Sequence, residues 1–327
     1  MKIILFGGSG FVGTALTKKL KDKSIYSIVY DKRKPIDDCE YVKCDVANLD
    51  ISSKNQDANI IINLAAEHRD DVTPISKYYD VNVEGAKNVC EFASLMGVKK
   101  IIFTSSVAIY GFAKPNTAED GEIKYFNEYG KTKYLAEKVY RDWQEEDREN
   151  RSLVIIRPTV IFGPGNRGNV YNFLRLIASR RFIMFGNGKN IKSMAYVENV
   201  VSFICYCLNF EKGIHIYNYV DKPDLNMNAL TTIARKTLFN KNNVGFRLPG
   251  FLGVLIGYLF DAVSFVTRKK FPVSSIRVKK FMSYSQFSSA AHETNFIAPF
   301  QLSEGLTKTL SYEFIEDNSD KPVFETE

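Results

Sequence analysis

The chain has 327 residues, 45% of them apolar and 25% charged, with a formal net charge of +7. That length can bury a large core in one domain or two, and the composition is that of an ordinary soluble globular protein, not a disordered or fibrous one. Basic residues are scattered, with short clusters at 268–270 and 277–280 and no long stripe interleaved with aromatics; this excludes nucleic acid and leaves open an anionic ligand or membrane surface.

Cys39, Cys44, Cys90, Cys205 and Cys207 make no C-x-x-C pair, and with three histidines they form no metal cluster, so no metal is expected. An odd count without a disulfide framework fits a reducing compartment, so the expected location is the cytoplasm.

The opening KIILFGG is apolar and ends in glycines that arrive too early for a signal peptide, so it reads as the first strand. GFVGTALTKKLKDK then has helical spacing. YSIVYD, EYVKCDV and ANIIINLAA read as strands two to four, the last fully apolar, as expected where both faces of a parallel sheet are covered. SKYYDVNVEGAKNVCEFASLMG makes a long helix closed by a glycine. KKIIFTSSVAIYG is a fifth strand running into a loop, EYGKTKYLAEK a helix, and SLVIIRPTVIFGPG a sixth strand. This alternation predicts an α/β fold, a doubly wound parallel sheet of the Rossmann type.

After residue 163 the alternation loosens, which predicts a smaller C-terminal substrate-binding lobe, with IHIYNYV (214–220) returning to the sheet. The expected division is 1–165 for the nucleotide-binding domain, 166–316 mainly for the lobe, and 317–327 for a disordered, acidic tail. GFLGVLIGYLFDAVSFV (250–266) is short for a membrane span and contains Asp261, so it reads as a buried or interfacial helix. The basic cluster after it makes contact between 250–270 and a membrane surface the alternative reading.

Ligands of such sheets bind at the carboxyl ends of the strands. Gly7, Gly10 and Gly13 follow the first strand as G-x-x-G-x-x-G and open a helix, which suits close backbone approach to a pyrophosphate. Asp31 closes the second strand, where a carboxylate accepts from a ribose diol and repels a 2′-phosphate. NAD is therefore the expected cofactor, with NADP as the alternative because Lys32 and Arg33 adjoin the acid. Asp45, ending the third strand, reads either as an adenine contact or as a loop cap. Tyr129 and Lys133, four apart, share one helix face.

Taken together, G-x-x-G-x-x-G at 7–13, Asp31, NLAA at 63–66, SSVAIYG at 105–111, YGKTK at 129–133 and RPTVIFGPG at 157–165 resemble the extended short-chain dehydrogenase/reductase family, in its nucleotide-sugar epimerase/dehydratase branch. The resemblance covers residues 1 to roughly 225. It implies that Tyr129 is the general acid/base, that Lys133 favours its phenolate and holds the nicotinamide ribose, and that Ser106 hydrogen-bonds the reacting oxygen; Ser105 competes for that role. It also implies a cofactor surface of Gly7, Gly10, Phe11, Val12, Gly13, Asp31, Asp45, Val46, Leu64, Ala65, Ala66, Tyr129, Lys133 and Pro158.

The branch's dehydratases carry Thr-Asp-Glu where this chain has Ser106-Val107-Ala108, and valine and alanine supply neither acid nor base, which argues against dehydration. Redox at one sugar carbon remains: a UDP-hexose or UDP-N-acetylhexosamine 4-epimerase, or a 4-keto-sugar reductase of polysaccharide biosynthesis. A hydroxysteroid-type dehydrogenase and a non-catalytic nucleotide-binding regulator are the rivals. In GNGKNIKSMAYVENVV, Lys192 and Asn199 stand where the family has arginine and aspartate, so Lys192 would meet a diphosphate as a point charge. Asn169 and Arg277 are further candidates for substrate contact, and the family is often homodimeric.

Overall fold

The computed structural model describes residues 1–50, 58–69, 72–268 and 274–325; the side chains of Val266 and Arg277 fall outside that description. Seven strands form one parallel sheet: β1 (Lys2–Phe6), β2 (Tyr26–Asp31), β3 (Glu40–Lys43), β4 (Ile60–Asn63), β5 (Lys100–Thr104), β6 (Ser152–Pro158) and, after a short excursion, a late strand Gly213–Tyr219. Their spatial order is 3-2-1-4-5-6 followed by the late strand, which pairs with β6 in register from Gly213–Ser152 to Tyr219–Pro158. The strand order reverses beside β1, and the crevice at its carboxyl end is where such sheets accept ligands.

The strands hold their place because both faces are apolar. Ile3, Leu5, Val29 and Ile62 pack on one face, and Ile4, Phe6, Ile28 and Ile61 on the other, all fully buried. The helices α1 (Phe11–Asp22), α2 (Ser76–Tyr79), α3 (Gly85–Leu95) and α4 (Glu128–Glu145) supply the crossovers. The long helix expected over 76–97 is interrupted: Asp80–Glu84 forms a π-helical turn between α2 and α3. The expected sixth strand also divides. After Thr159, β7 (Val160–Phe162) leaves the main sheet and pairs with a strand of the lobe, Met194–Tyr196.

In chain order the lobe adds α5 (Asn169–Ala178), β8 (Met184–Phe185), β9 (Ile191–Lys192), β10 (Met194–Tyr196), α6 (Val197–Cys207), β11 (Gly213–Tyr219, the late strand), β12 (Leu225–Asn226), α7 (Met227–Phe239), β13 (Arg247–Leu248), α8 (Gly250–Thr267), α9 (Ser275–Met282) and α10 (Leu302–Phe314). Its apolar side chains continue the core on one face of the main sheet. Asn199 is buried and exchanges two hydrogen bonds with the backbone of Phe300, which fixes the chain just before α10.

In the tail segment expected to fray, Phe324 pairs with the loop after β7. Phe324 N–H donates to the Gly165 carbonyl and Arg167 N–H to the Phe324 carbonyl, both at 2.8 Å, and its ring lies 5.8 Å from that of Phe11. Thr326 and Glu327 lie outside the described residues. Among the described residues no helix is long and apolar enough to cross a membrane.

Candidate active site

The glycine loop leaves β1 through Gly7, whose φ of +76° favours glycine, and a Cβ there would stand 2.5 Å from the Ala65 nitrogen. The loop thus lies on the NLAA segment, where Ala65 N–H donates to Asn63 Oδ1 at 2.9 Å and Leu64 N–H to the Phe6 carbonyl. Gly10 is the N-cap of α1 and gives no side-chain hydrogen bond, so the first-turn N–H groups of Phe11, Val12 and Gly13 have no side-chain cap. A pyrophosphate fits that donor set.

Asp31 sits beside this loop. Its Oδ2 accepts from Ser9 N–H and its Oδ1 from Arg33 N–H, both at 3.0 Å, which fixes the carboxylate beside the glycine loop. Lys32 turns instead to Asp45, at 2.9 Å, so the cation that argued for a 2′-phosphate already has a carboxylate partner. Asp45 also caps a short 3-10 turn by accepting from Ala47 N–H, which is the loop-cap alternative. Val46 is buried against Gly85, and Pro158 ends β6 opposite Tyr219; both shape the wall by packing. The glycine loop and Asp31 together fit an NAD dinucleotide.

On the next two crossovers stand the catalytic candidates. Ser106 caps the turn after β5, its Oγ accepting from Ala108 N–H at 3.1 Å, which leaves its own proton to donate. The Ser105 Oγ is buried and has no hydrogen-bond partner among the described residues. Asn127 opens α4 by accepting from Gly130 N–H at 2.9 Å, and Tyr129 and Lys133 follow on successive turns. Lys133 is only 2% exposed, with its ammonium 4.2 Å from the centre of the Phe103 ring. Burial lowers its pKa from 10.5 to about 7, while the nearby Glu137 carboxylate pulls the other way.

Sequence reading missed three supports of this site. Asn82, on the π-helical turn, holds the Glu67 backbone through two hydrogen bonds and donates to Thr132 Oγ1 at 2.9 Å, tying the segment after β4 to the residue before Lys133. Asn63 donates to the Tyr140 hydroxyl at 2.6 Å. Glu137, one turn beyond Lys133, is fully buried against Arg157. The arginine was a visible signal, since a lone charge in an apolar strand needs a buried partner.

The candidates for substrate contact divide. The Lys192 ammonium donates to the Lys280 carbonyl at 2.9 Å and to Ser283 Oγ at 3.3 Å, and burial lowers its pKa to about 8. Asn169 is the exposed first residue of α5. Arg277 belongs to α9, with its side chain outside the described residues. Asn199 is committed to Phe300, so it fixes the lobe from within.

Comparison with known proteins agrees with this geometry. Residues 3–219 match the model of the NAD dependent epimerase/dehydratase family. The chain is 48% identical, over 99% of both chains, to an N-acetyl-alpha-D-glucosaminyl-diphospho-ditrans,octacis-undecaprenol 4-epimerase of Escherichia coli O157:H7. It is 30% identical to a UDP-glucose 4-epimerase of Vibrio cholerae, over 64% of this chain and 67% of that one. Among solved structures it superposes on a UDP-glucuronic acid 4-epimerase of Bacillus cereus in complex with NAD, with a TM-score of 0.73, 18% identity and coverage of 95% and 98%, a likeness of fold. The chain therefore belongs to the NAD dependent epimerase/dehydratase family and is an NAD-dependent epimerase of the extended short-chain dehydrogenase/reductase type.

Proposed function

We propose that the chain inverts C4 of a sugar carried on a diphosphate, the feature shared by nucleotide sugars and polyprenyl-diphospho sugars, with an N-acetylhexosamine as the sugar. The observation that carries this reading is the buried Lys133 one turn from Tyr129, beside a glycine loop fitted to a dinucleotide.

In this reading Tyr129 takes the proton of the C4 hydroxyl as C4 becomes a ketone, and returns it after the sugar presents its other face. A phenol near its ordinary pKa of about 10 is a poor base at neutral pH, and a nearby ammonium favours its ionised form. Lys133 supplies that charge in its protonated form, held at and below its lowered pKa of about 7. Ser106 donates to the C4 oxygen and holds it in place. Bound NAD supplies reversible storage of the hydride, so no net reductant is consumed. Val107 and Ala108 offer no acid or base for eliminating water.

The carrier divides the reading. A nucleotide sugar is what several relatives act on by name. A polyprenol is favoured by α8, where Phe251, Leu255, Tyr258, Leu259, Val263 and Phe265 are exposed at spacings that make one outward apolar stripe. Asp261 lies elsewhere on that helix, accepting from Ser275 N–H and Oγ at the start of α9. Such a stripe beside Arg268, Lys279 and Lys280 suits an anionic membrane surface, which is where a polyprenyl substrate would reside. The family resemblance further supports a homodimer, which sedimentation would test.

The experiment offers purified enzyme, with no added NADH, UDP-N-acetylglucosamine and polyprenyl-diphospho-N-acetylglucosamine. Conversion to the 4-epimer at constant mass supports the reading, and the substrate that turns over identifies the carrier. Consumption of NADH with a 4-keto sugar, and no isomerisation, would instead indicate a reductase.

A further inference from the structure

Two phenylalanines next to the Ser106 turn and the Tyr129 helix have no part in the chemistry above. Phe112 is 79% exposed and Phe126 is 52% exposed, yet their rings pack on each other with centroids 4.9 Å apart. Exposed aromatics are costly to keep in water unless something covers them, and a paired set signals a contact surface.

Their position is built in. Phe112 follows Gly111, at the end of the turn that Ser106 caps; Phe126 immediately precedes the Asn127 cap of the Tyr129 helix. The two segments touch closely: Lys124 N–H donates to the Ile109 carbonyl at 3.0 Å, and a Cβ at Gly111 would stand 1.9 Å from the Lys124 carbonyl oxygen. Phe126 stands three positions before Tyr129, a reach of at most about 11 Å even for extended chain.

Charge is arranged beside the rings. The Lys280 ammonium lies 5.8 Å from the Phe126 ring centre, and the Lys280 carbonyl accepts from Lys192. Among the described residues neither ammonium has a carboxylate partner; they contact backbone, hydroxyl and ring. One residue along α9, Lys279 donates to the Tyr258 hydroxyl at 2.7 Å, on the exposed stripe of α8. The aromatic pair and the two ammonium groups without a carboxylate thus lie side by side, joined to the catalytic helix through Phe126 and to the apolar helix through α9.

From the juxtaposition of Phe112 and Phe126 with Lys192 and Lys280 we propose a subsite for the first isoprene units of a polyprenyl-diphospho sugar. The ammonium groups face the diphosphate, and the paired rings cover the allylic end of the lipid as it turns toward α8. This rests on the diphospho-sugar epimerase reading and adds the seat of the carrier. A nucleotide carrier would place a polar, stacking base there instead, which the test separates.

The test measures kcat/KM on diphospho-N-acetylglucosamine substrates whose carrier is methyl, one, two, four or eleven isoprene units, for wild type and for F112S/F126S. The expected wild-type result is a rise of at least tenfold from methyl to two isoprene units. In F112S/F126S that rise disappears, while the methyl carrier is turned over at the wild-type rate and the melting temperature and NAD content are unchanged. F112L/F126L should restore most of the dependence. An unchanged chain-length profile in F112S/F126S overturns the subsite, and so does equal loss on every carrier. A wild type that epimerises UDP-N-acetylglucosamine and no prenyl substrate overturns the subsite while leaving the epimerase reading intact. A wild type that epimerises nothing defeats that reading itself.

Discussion

Glu137 and Arg157 form a two-pronged ion pair, Arg Nε to Glu Oε1 at 2.9 Å and Nη2 to Oε2 at 2.7 Å, one helical turn beyond Lys133. The third guanidinium nitrogen donates to the Tyr110 hydroxyl at 2.6 Å and to the Glu119 carbonyl at 2.9 Å. The pair links α4 to β6 behind the catalytic face. Removing Arg157 takes both short hydrogen bonds from the buried Glu137 charge and leaves it Arg141 at 4.0 Å, a loss that approaches the cost of a broken buried pair, about 3–5 kcal/mol. R157M should therefore lower the melting temperature by many degrees, whereas E137M/R157M, with both charges gone, should recover much of the loss. Thermal denaturation of the three proteins checks this.

Lys133 gives a pH signature. Its pKa falls from 10.5 unfolded to about 7 folded, so between those values the unfolded chain holds a proton that the folded one lacks. Its contribution to stability is fully present above pH 10.5 and is lost as pH falls through about 7. In K133M the part of the stability rise between pH 7 and 10 that comes from this residue should vanish. Melting curves of the two proteins across that range, compared as a difference, report it.

We propose that Asp31 sets the cofactor preference. With Lys32 held by Asp45, the Asp31 carboxylate would meet the ribose diol without a competing ammonium. D31A should weaken NAD by about tenfold, the loss of a charge-assisted hydrogen bond. It should also narrow the margin over NADP, read by titrating both cofactors.

Asn82 fixes the segment after β4 to α4, and an unsatisfied buried partner costs about 1–3 kcal/mol. N82A should lower kcat more than it raises KM, since the substrate pocket is intact while the Lys133 helix loosens. Steady-state kinetics separate the two.

Much of this architecture is legible in the residues. The strands of the main sheet announce themselves as apolar runs ending at Gly7, Asp31, Asn63 and Ser105, and the return of 214–220 to the sheet follows from the same pattern. What was hidden depends on partners far along the chain. The break of the sixth strand at Thr159 exists because β7 pairs with β10, and the two-residue strands of the lobe carry too few residues for any period to show. The π-helical turn is invisible in a pattern that is helical on both sides of it. The tail reads as polar and acidic, and only the pairing of Phe324 with the loop after β7 explains why it is held. Asn199 shows the reverse case, a departure from the family pattern that the structure accounts for through Phe300.

The central claim is that Tyr129 moves a proton while a hydride leaves C4 and returns to the same carbon. Its most direct measurement uses a substrate that turns over, deuterated at C4, in ordinary water without added cofactor. The account predicts that the 4-epimer keeps the label completely and that Y129F slows its formation by about 10²–10⁴-fold with NAD content unchanged. Loss of the label to solvent, or a Y129F enzyme as fast as the wild type, would contradict it.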